Sequence, residues 1–261
     1  MLRAFSTAAT GMGAQQLIVD VIANNLANMN TAGFKRTQVD FQDLMYVRMR
    51  QHGRELANGV IAPNGFEIGS GVRPASTLKV FSQGTIEHTE RELDVAIEGD
   101  GFIAVTVNGE KRYTRDGSLR INATGQLVTS SGNLLDPGIS IGTDYRSISI
   151  GTDGTVTVFS GSGNTPSTAG SLTLVRFANP SGLASDGGNL YSETPASGSP
   201  LTGTAGQGGF GSIQQNFLER SNVQMVKELV DLITAQRAYE INSRTIRAGD
   251  EMLTATNRMA G

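Results

Sequence analysis

The amino-acid sequence predicts an α+β fold, mostly β, in which an antiparallel β body is flanked by long N- and C-terminal α-helices that pack together as a coiled-coil-like pair. Three observations predict it. Apolar residues recur seven apart at both ends of the chain, short runs between them alternate with period two, and glycine-containing turn pairs separate those runs.

The first helix occupies residues 1–33. Phe5, Met12, Val19 and Leu26 are spaced by seven, and Ala8, Ala9, Ile22 and Ala23 fill the same face. Asn24, Asn25, Asn28 and Asn30 then crowd the chain, and Gly33 suits the left-handed conformation that ends a helix, so a stop near Asn30 is expected. Residues 34–70 read as a connecting arm. The stretch from Tyr46 to Gly71 has no clean period and contains Pro63 with several glycines.

The β-rich body is expected over residues 71–200. Its clearest runs are Asp94 to Ile97, Phe102 to Val107, Ser147 to Ile150, Thr155 to Phe159 and Ser171 to Phe177. Asp100-Gly101, Asn108-Gly109, Asp116-Gly117 and Asp153-Gly154 supply the positive φ that tight hairpins need. Residues 201–220 follow as a return linker rich in small residues. The last helix is expected over 221–261. There Leu218, Met225, Leu232, Tyr239, Ile246 and Leu253 form one row, while Asn222, Leu229, Gln236 and Ser243 form a second, with Val226 and Ile233 widening the stripe. Ser221 followed by Gln224 has capping-box spacing, which predicts a start near Asn222.

Composition narrows the function. A net charge of −3 with interspersed signs gives no footprint for nucleic acid or an anionic membrane. The absence of cysteine excludes disulfides, thiolate metal sites and cysteine nucleophiles. His52 and His88 stand without recognisable ligand partners and read as surface residues, and the common phosphate-loop, nucleophile-elbow and dinucleotide motifs are missing. No catalytic residue, metal, cofactor or small-molecule substrate is therefore expected. Glu90, Glu92 and Asp94 alternate as the solvated edge of a strand would. Asn122-Ala123-Thr124 reads as a hairpin turn, and Thr114-Arg115-Asp116-Gly117 as a turn whose arginine is available for an intersubunit ion pair. Neither a cleaved secretion signal nor a membrane-spanning run is visible.

The terminal seams are the informative feature. They are narrow and diluted by Ala8, Ala9, Gln15, Gln16 and Gln236, so each helix is marginal alone and offers apolar surface to other copies. Phe5, Met12, Val19, Leu26, Met225, Leu229, Leu232, Tyr239, Ile246 and Leu253 are the expected assembly seam. A reading from a different class is a secreted β-rich adhesin or binding module, although a chain without tryptophan is poorly supplied with sugar-stacking surfaces.

At Ala23 to Arg36 the chain reads ANNLANMNTAGFKR, and from Ser221 to Leu253 SNVQMVKELVDLITAQRAYEINSRTIRAGDEML. These stretches resemble the N- and C-terminal signatures of the bacterial flagellar rod and hook family. LDVAIEGDGF from Leu93, YTRDGSLRINATGQLVTSSG from Tyr113 and IGSGVRP from Ile68 resemble its central region. The motif residues carried by the resemblance are Asn24, Asn25, Leu26, Asn28, Thr31, Gly33, Phe34, Lys35 and Arg36 at one end, and Gln236, Arg237, Ala238 and Tyr239 at the other. The resemblance implies a subunit of the distal rod in the basal body, a rigid hollow tube that spans the periplasm and transmits torque to the hook. A proximal rod or hook subunit is the alternative within the family. It also implies a homopolymer that meets proximal rod and hook subunits and surrounding ring proteins, exported by the flagellar type III apparatus without signal cleavage. Residues 46–63 occupy the place of a rod-specific segment.

Overall fold

The computed structural model describes residues 2–50, 55–57, 60–61, 64–142, 144–160 and 166–260. The chain divides into two compact units, one of Met1–Leu26, Thr37–Leu78 and Met225–Gly261, the other of Ala27–Arg36 and Lys79–Gln224.

The first unit contains the two long helices, α1 (Leu2–Ala27) and α2 (Met225–Ala260). α1 stops three residues before the expected Asn30. There the chain tightens into a turn: Thr31 N–H donates to the Asn28 carbonyl three residues back, and the Thr31 hydroxyl donates to Asn28 Oδ1. α2 begins at Met225 rather than Asn222. Leu218 lies in a strand, Phe217–Glu219, and the Ser221 hydroxyl accepts from Val223 N–H, so the anticipated capping box is replaced by a tighter local turn. Thr37–Asp43 pairs with Val72–Lys79, and Val47–Arg50 with Phe66–Ile68. Much of the segment 46–63 lies outside the described residues; within it Glu55–Ala57 pairs with Val60–Ile61.

The second unit is the antiparallel β body. Its nine-stranded sheet is centred on Phe102–Val107, which pairs with Glu110–Thr114 on one side and with Leu134–Leu135 and Thr173–Arg176 on the other. The turn between the first two is the expected Asn108-Gly109 hairpin, with both residues at positive φ. A three-stranded sheet, Tyr145–Ile150, Thr155–Ser160 and Pro166–Ser171, stands beside it in sequence. Asn122 Oδ1 accepts from Thr124 and Gln126, so this tripeptide is a hairpin turn as expected.

Alternation along Phe102–Val107 sorts its side chains into two cores. Ile103 and Val105 enter an aliphatic cluster with Val95, Leu119, Leu127, Ile139, Val156, Leu174 and Ile213. Phe102 and Ala104 face an aromatic cluster with Tyr113, Phe177 and Tyr191, in which Tyr113 and Phe177 meet edge to face at 4.8 Å.

Two expectations are corrected here. The return segment 201–220 is not a loose linker: it forms strands Leu201–Thr204, Ser212–Gln215 and Phe217–Glu219, each paired within the body. Its small residues carry little apolar signal, yet Ala205 and Ile213 are buried. Asp94 is not on a solvated edge but 1% exposed, because the backbone here bridges to Ser118 and accepts from Asn216 N–H, drawing it beneath neighbouring turns.

Candidate functional site

Among the described residues, the most heavily charged interior lies in the body, where three segments far apart in sequence converge. Glu219 ends a strand, and its carboxylate accepts from Lys35 Nζ at 2.6 Å through Oε1 and from Arg115 Nε at 2.6 Å through Oε2. Gly84 N–H adds a third bond to Oε1 at 2.8 Å. Lys35 also donates to the Ser82 carbonyl at 2.9 Å, and Arg115 to the carbonyls of Gly101, Ile97 and Gly99. All three side chains are buried: Lys35 is 1%, Glu219 2% and Arg115 7% exposed. The arginine anticipated for an intersubunit ion pair is thus consumed inside its own chain. A four-residue turn motif gives no sign that its arginine points inward.

Backbone geometry builds this node. Gly33 takes φ +68 and sits so close to the Arg115 backbone that a Cβ would lie 2.7 Å from its carbonyl carbon; its N–H donates to the Glu219 carbonyl at 2.8 Å. Gly84 is equally constrained, since a Cβ would come within 1.9 Å of the Arg220 carbonyl oxygen. Asn222 completes the cluster by accepting from Arg36 N–H and donating to Val80 and Ser82. Arg220 pairs with Glu87 at the surface.

One anion serves two cations, and the titration behaviour reflects that ratio. Burial pushes the Glu219 carboxyl up, but the charges and hydrogen bonds of Arg115 and Lys35 outweigh it and hold it below the ordinary 4.5. Burial pulls the Lys35 ammonium below its ordinary 10.5, and the shared Glu219 only partly restores it. The Tyr191 hydroxyl, buried and within the field of Glu219, is pushed up to about 12.

A carboxyl depressed in the folded state contributes stability that is complete above its unfolded value and lost as pH falls through the folded one. We expect the urea midpoint of the body to decline below about pH 4.5, and Glu219→Gln to lack that portion of the acid dependence. Matching acid profiles for the two proteins would contradict this.

In the first unit, Asn25 organises the end of α1. Thr37 N–H donates to Asn25 Oδ1 and Asn25 Nδ2 to the Thr37 carbonyl, both at 2.9 Å, so one side chain satisfies a residue's two backbone groups. The same amide nitrogen lies 3.3 Å from the buried Glu228 of α2. A Cβ on Gly11 would meet Asn242 at 3.0 Å, and one on Gly249 would meet the Phe5 ring at 2.6 Å. The contact order 25 with 228, 11 with 242 and 5 with 249 sets the helices side by side and antiparallel.

The residues expected in the seam divide into two groups. Phe5, Met12, Val19, Leu26, Leu232, Ile246 and Leu253 are half-buried, while Met225, Leu229 and Tyr239 are exposed. The second inward row of α2 runs one position earlier than the apolar pattern indicated, through Glu228, Ala235, Asn242 and Gly249. Small and polar residues occupy it because the helices approach closely there, and a count of large apolar residues passes over such positions. Gln16, Val19, Gln236, Tyr239 and Glu240 line a groove of about 460 Å³.

Of the motif residues, Asn25, Gly33, Phe34 and Lys35 are buried, Leu26, Asn28, Thr31, Arg36 and Ala238 are half-buried, and Asn24, Gln236, Arg237 and Tyr239 are exposed. Glu219 and Glu228, the anions on which the buried residues depend, were missed by sequence reasoning. Their only signal was a lone acidic residue beside apolar ones. His88 is exposed and packs edge to face on Phe217, and His52 lies outside the described residues. Among the described residues no group of three His, Cys, Asp or Glu side chains is placed to hold a metal, and no helix is long and apolar enough to cross a membrane.

Three family models match the chain: "Flagella basal body rod protein" over residues 5–35, "Flagellar hook protein FlgE/F/G D1 domain" over 96–158, and "Flagellar basal body rod FlgEFG protein C-terminal" over 214–259. The flagellar basal-body rod protein FlgG of Buchnera aphidicola subsp. Schizaphis graminum is 46% identical over 251 residues, 96% of each chain. That of Caulobacter vibrioides is 44% identical over 260 residues, 99% of each, and that of Bacillus subtilis 38% identical over 259 residues, 97% of each. Among solved structures, the Helicobacter pylori flagellar hook protein FlgE2 aligns over 70% of this chain and 43% of its own, at 16% identity and a TM-score of 0.25, a likeness too low to carry an argument.

Proposed function

The chain belongs to the flagellar basal-body rod protein family, and on that basis we propose that it is a structural subunit of the distal rod, assembling with copies of itself into a rigid hollow tube that carries motor torque to the hook. Family membership displaces the adhesin reading. The observation that carries the proposal is the apolar surface left uncovered on α2, where Val226 is 76%, Val230 57%, Ile233 50% and Ile241 62% exposed. A helix whose polar-to-apolar division leaves a second stripe in solvent is suited to packing against another copy. α1 and α2 pair in a coiled-coil-like manner in each subunit, and the second stripe of α2 meets a neighbour.

The arm adds to this surface. Met45, Tyr46, Met49 and Phe66 are all exposed large apolar residues around the paired strands Val47–Arg50 and Phe66–Ile68. Burial of this set between adjacent copies restrains sliding and keeps the tube straight. In this reading the rod spans the periplasm, is reached through the flagellar export apparatus without signal cleavage, and abuts proximal rod, hook and ring proteins.

Electron micrographs of the purified full-length chain test the proposal. Straight tubes are expected, and a chain ending at Gln224 is expected to remain monomeric with its body folded. Tubes of unchanged diameter from the truncated chain would exclude α2 from the assembly contact.

A further inference from the structure

The chain passes between its two units at four places, after residues 26, 36, 78 and 224. The segments of the body next to three of these crossings are tied to the one ionic node. Residues 33–36 reach it through Gly33, Lys35 and Arg36, residues 79–84 through Val80, Ser82 and Gly84, and residues 219–222 through Glu219 and Asn222. Lys79 reinforces this by donating to the Lys35 carbonyl at 3.2 Å and lying over the Phe34 ring at 4.4 Å. The remaining partner, Arg115, fastens the turn carbonyls of Ile97, Gly99 and Gly101 to the same carboxylate.

The charge count of this node is uneven. Lys35 and Arg115 are cations whose only carboxylate partner among the described contacts is Glu219, and Glu219 arrives 104 residues after Arg115 and 184 after Lys35. Without it, two desolvated positive charges would face each other in the interior, a state costly enough that the surrounding segments open instead. With it, the segments close together. We propose that Glu219 is a closing clasp: the N-terminal segment 33–36, the 79–84 segment and the 99–101 turn of the body order only when the C-terminal segment has docked, so the two ends of the body become structured in one step. The clasp acts within a single chain, with or without a polymer.

The proposal makes an asymmetric prediction about two ways of breaking the same 2.6 Å ion pair. Lys35→Met leaves a balanced Arg115–Glu219 pair; Glu219→Gln leaves two cations and no anion. Amide hydrogen exchange on the full-length chain reads the difference. In Glu219→Gln, exchange in residues 33–36, 79–84 and 99–101 is expected to accelerate together, by roughly a hundred- to a thousandfold, while the strands Tyr145–Ile150, Thr155–Ser160 and Pro166–Ser171 keep their protection. In Lys35→Met the same segments are expected to stay within about tenfold of the parent. Should Glu219→Gln unfold globally, Lys35→Met still decides, because the proposal requires it to remain folded with those segments protected. Acceleration confined to 217–222 in Glu219→Gln, or equal damage from Lys35→Met, would overturn the clasp.

Discussion

Replacing Glu219 by glutamine is expected to lower the stability of the body by about 3–5 kcal/mol, the usual penalty for removing one partner of a buried ion pair. Glutamine has nearly the same volume, and its oxygen can still accept from Gly84, so packing loss contributes little. The cost comes from the charge. Two cations that now share a carboxylate at 2.6 Å would be left with carbonyl oxygens alone. Lys35→Met is expected to be much milder, because it leaves one anion facing one cation and orphans only the Ser82 carbonyl. Urea midpoints of the two variants make the comparison. A loss below about 1 kcal/mol for Glu219→Gln would mean that the node is solvated and behaves as a surface pair.

The second large effect is expected at Asn25. Asn25→Leu keeps the approximate shape but abandons both backbone groups of Thr37, each held at 2.9 Å, and takes a donor away from the buried Glu228. Unsatisfied buried backbone groups cost about 1–3 kcal/mol apiece, so a total near 3–5 kcal/mol is expected. Because α1 and α2 carry the proposed assembly contact, the measurement belongs on the polymer: the urea midpoint for disassembly should fall sharply. Tubes as resistant as those of the parent chain would show that water replaces the amide at no cost.

These two sites also mark where the amino-acid pattern was readable and where it was not. The spacing of Phe5, Met12, Val19 and Leu26 was enough to place α1, and glycine pairs such as Asn108-Gly109 were enough to place hairpins, because both signals arise from local geometry. The ends of the helices shifted by three residues each, since Asn28 binds the Thr31 hydroxyl and Asn222 the Arg36 N–H, contacts that helical periodicity does not register. The inward row of α2 was displaced by one residue because Ala235 and Gly249 pack by being small. The strands of residues 201–220 were hidden by a composition poor in large side chains. The ionic node was least legible of all. Lys35, Arg115 and Glu219 are each ordinary charged residues in a row, and only the tertiary fold brings them within hydrogen-bonding distance.

The aromatic cluster on one side of the central strand has a practical consequence. The chain has no tryptophan. Tyr46, Tyr145 and Tyr239 are exposed, whereas Tyr113 and Tyr191 are fixed among Phe102 and Phe177. In the unassembled chain the tyrosine signal in near-ultraviolet circular dichroism therefore comes mainly from the body, and packing of Tyr46 and Tyr239 against another copy would add to it. The rise of that signal above its monomer level gives an optical record of assembly without attaching a dye or introducing a foreign residue.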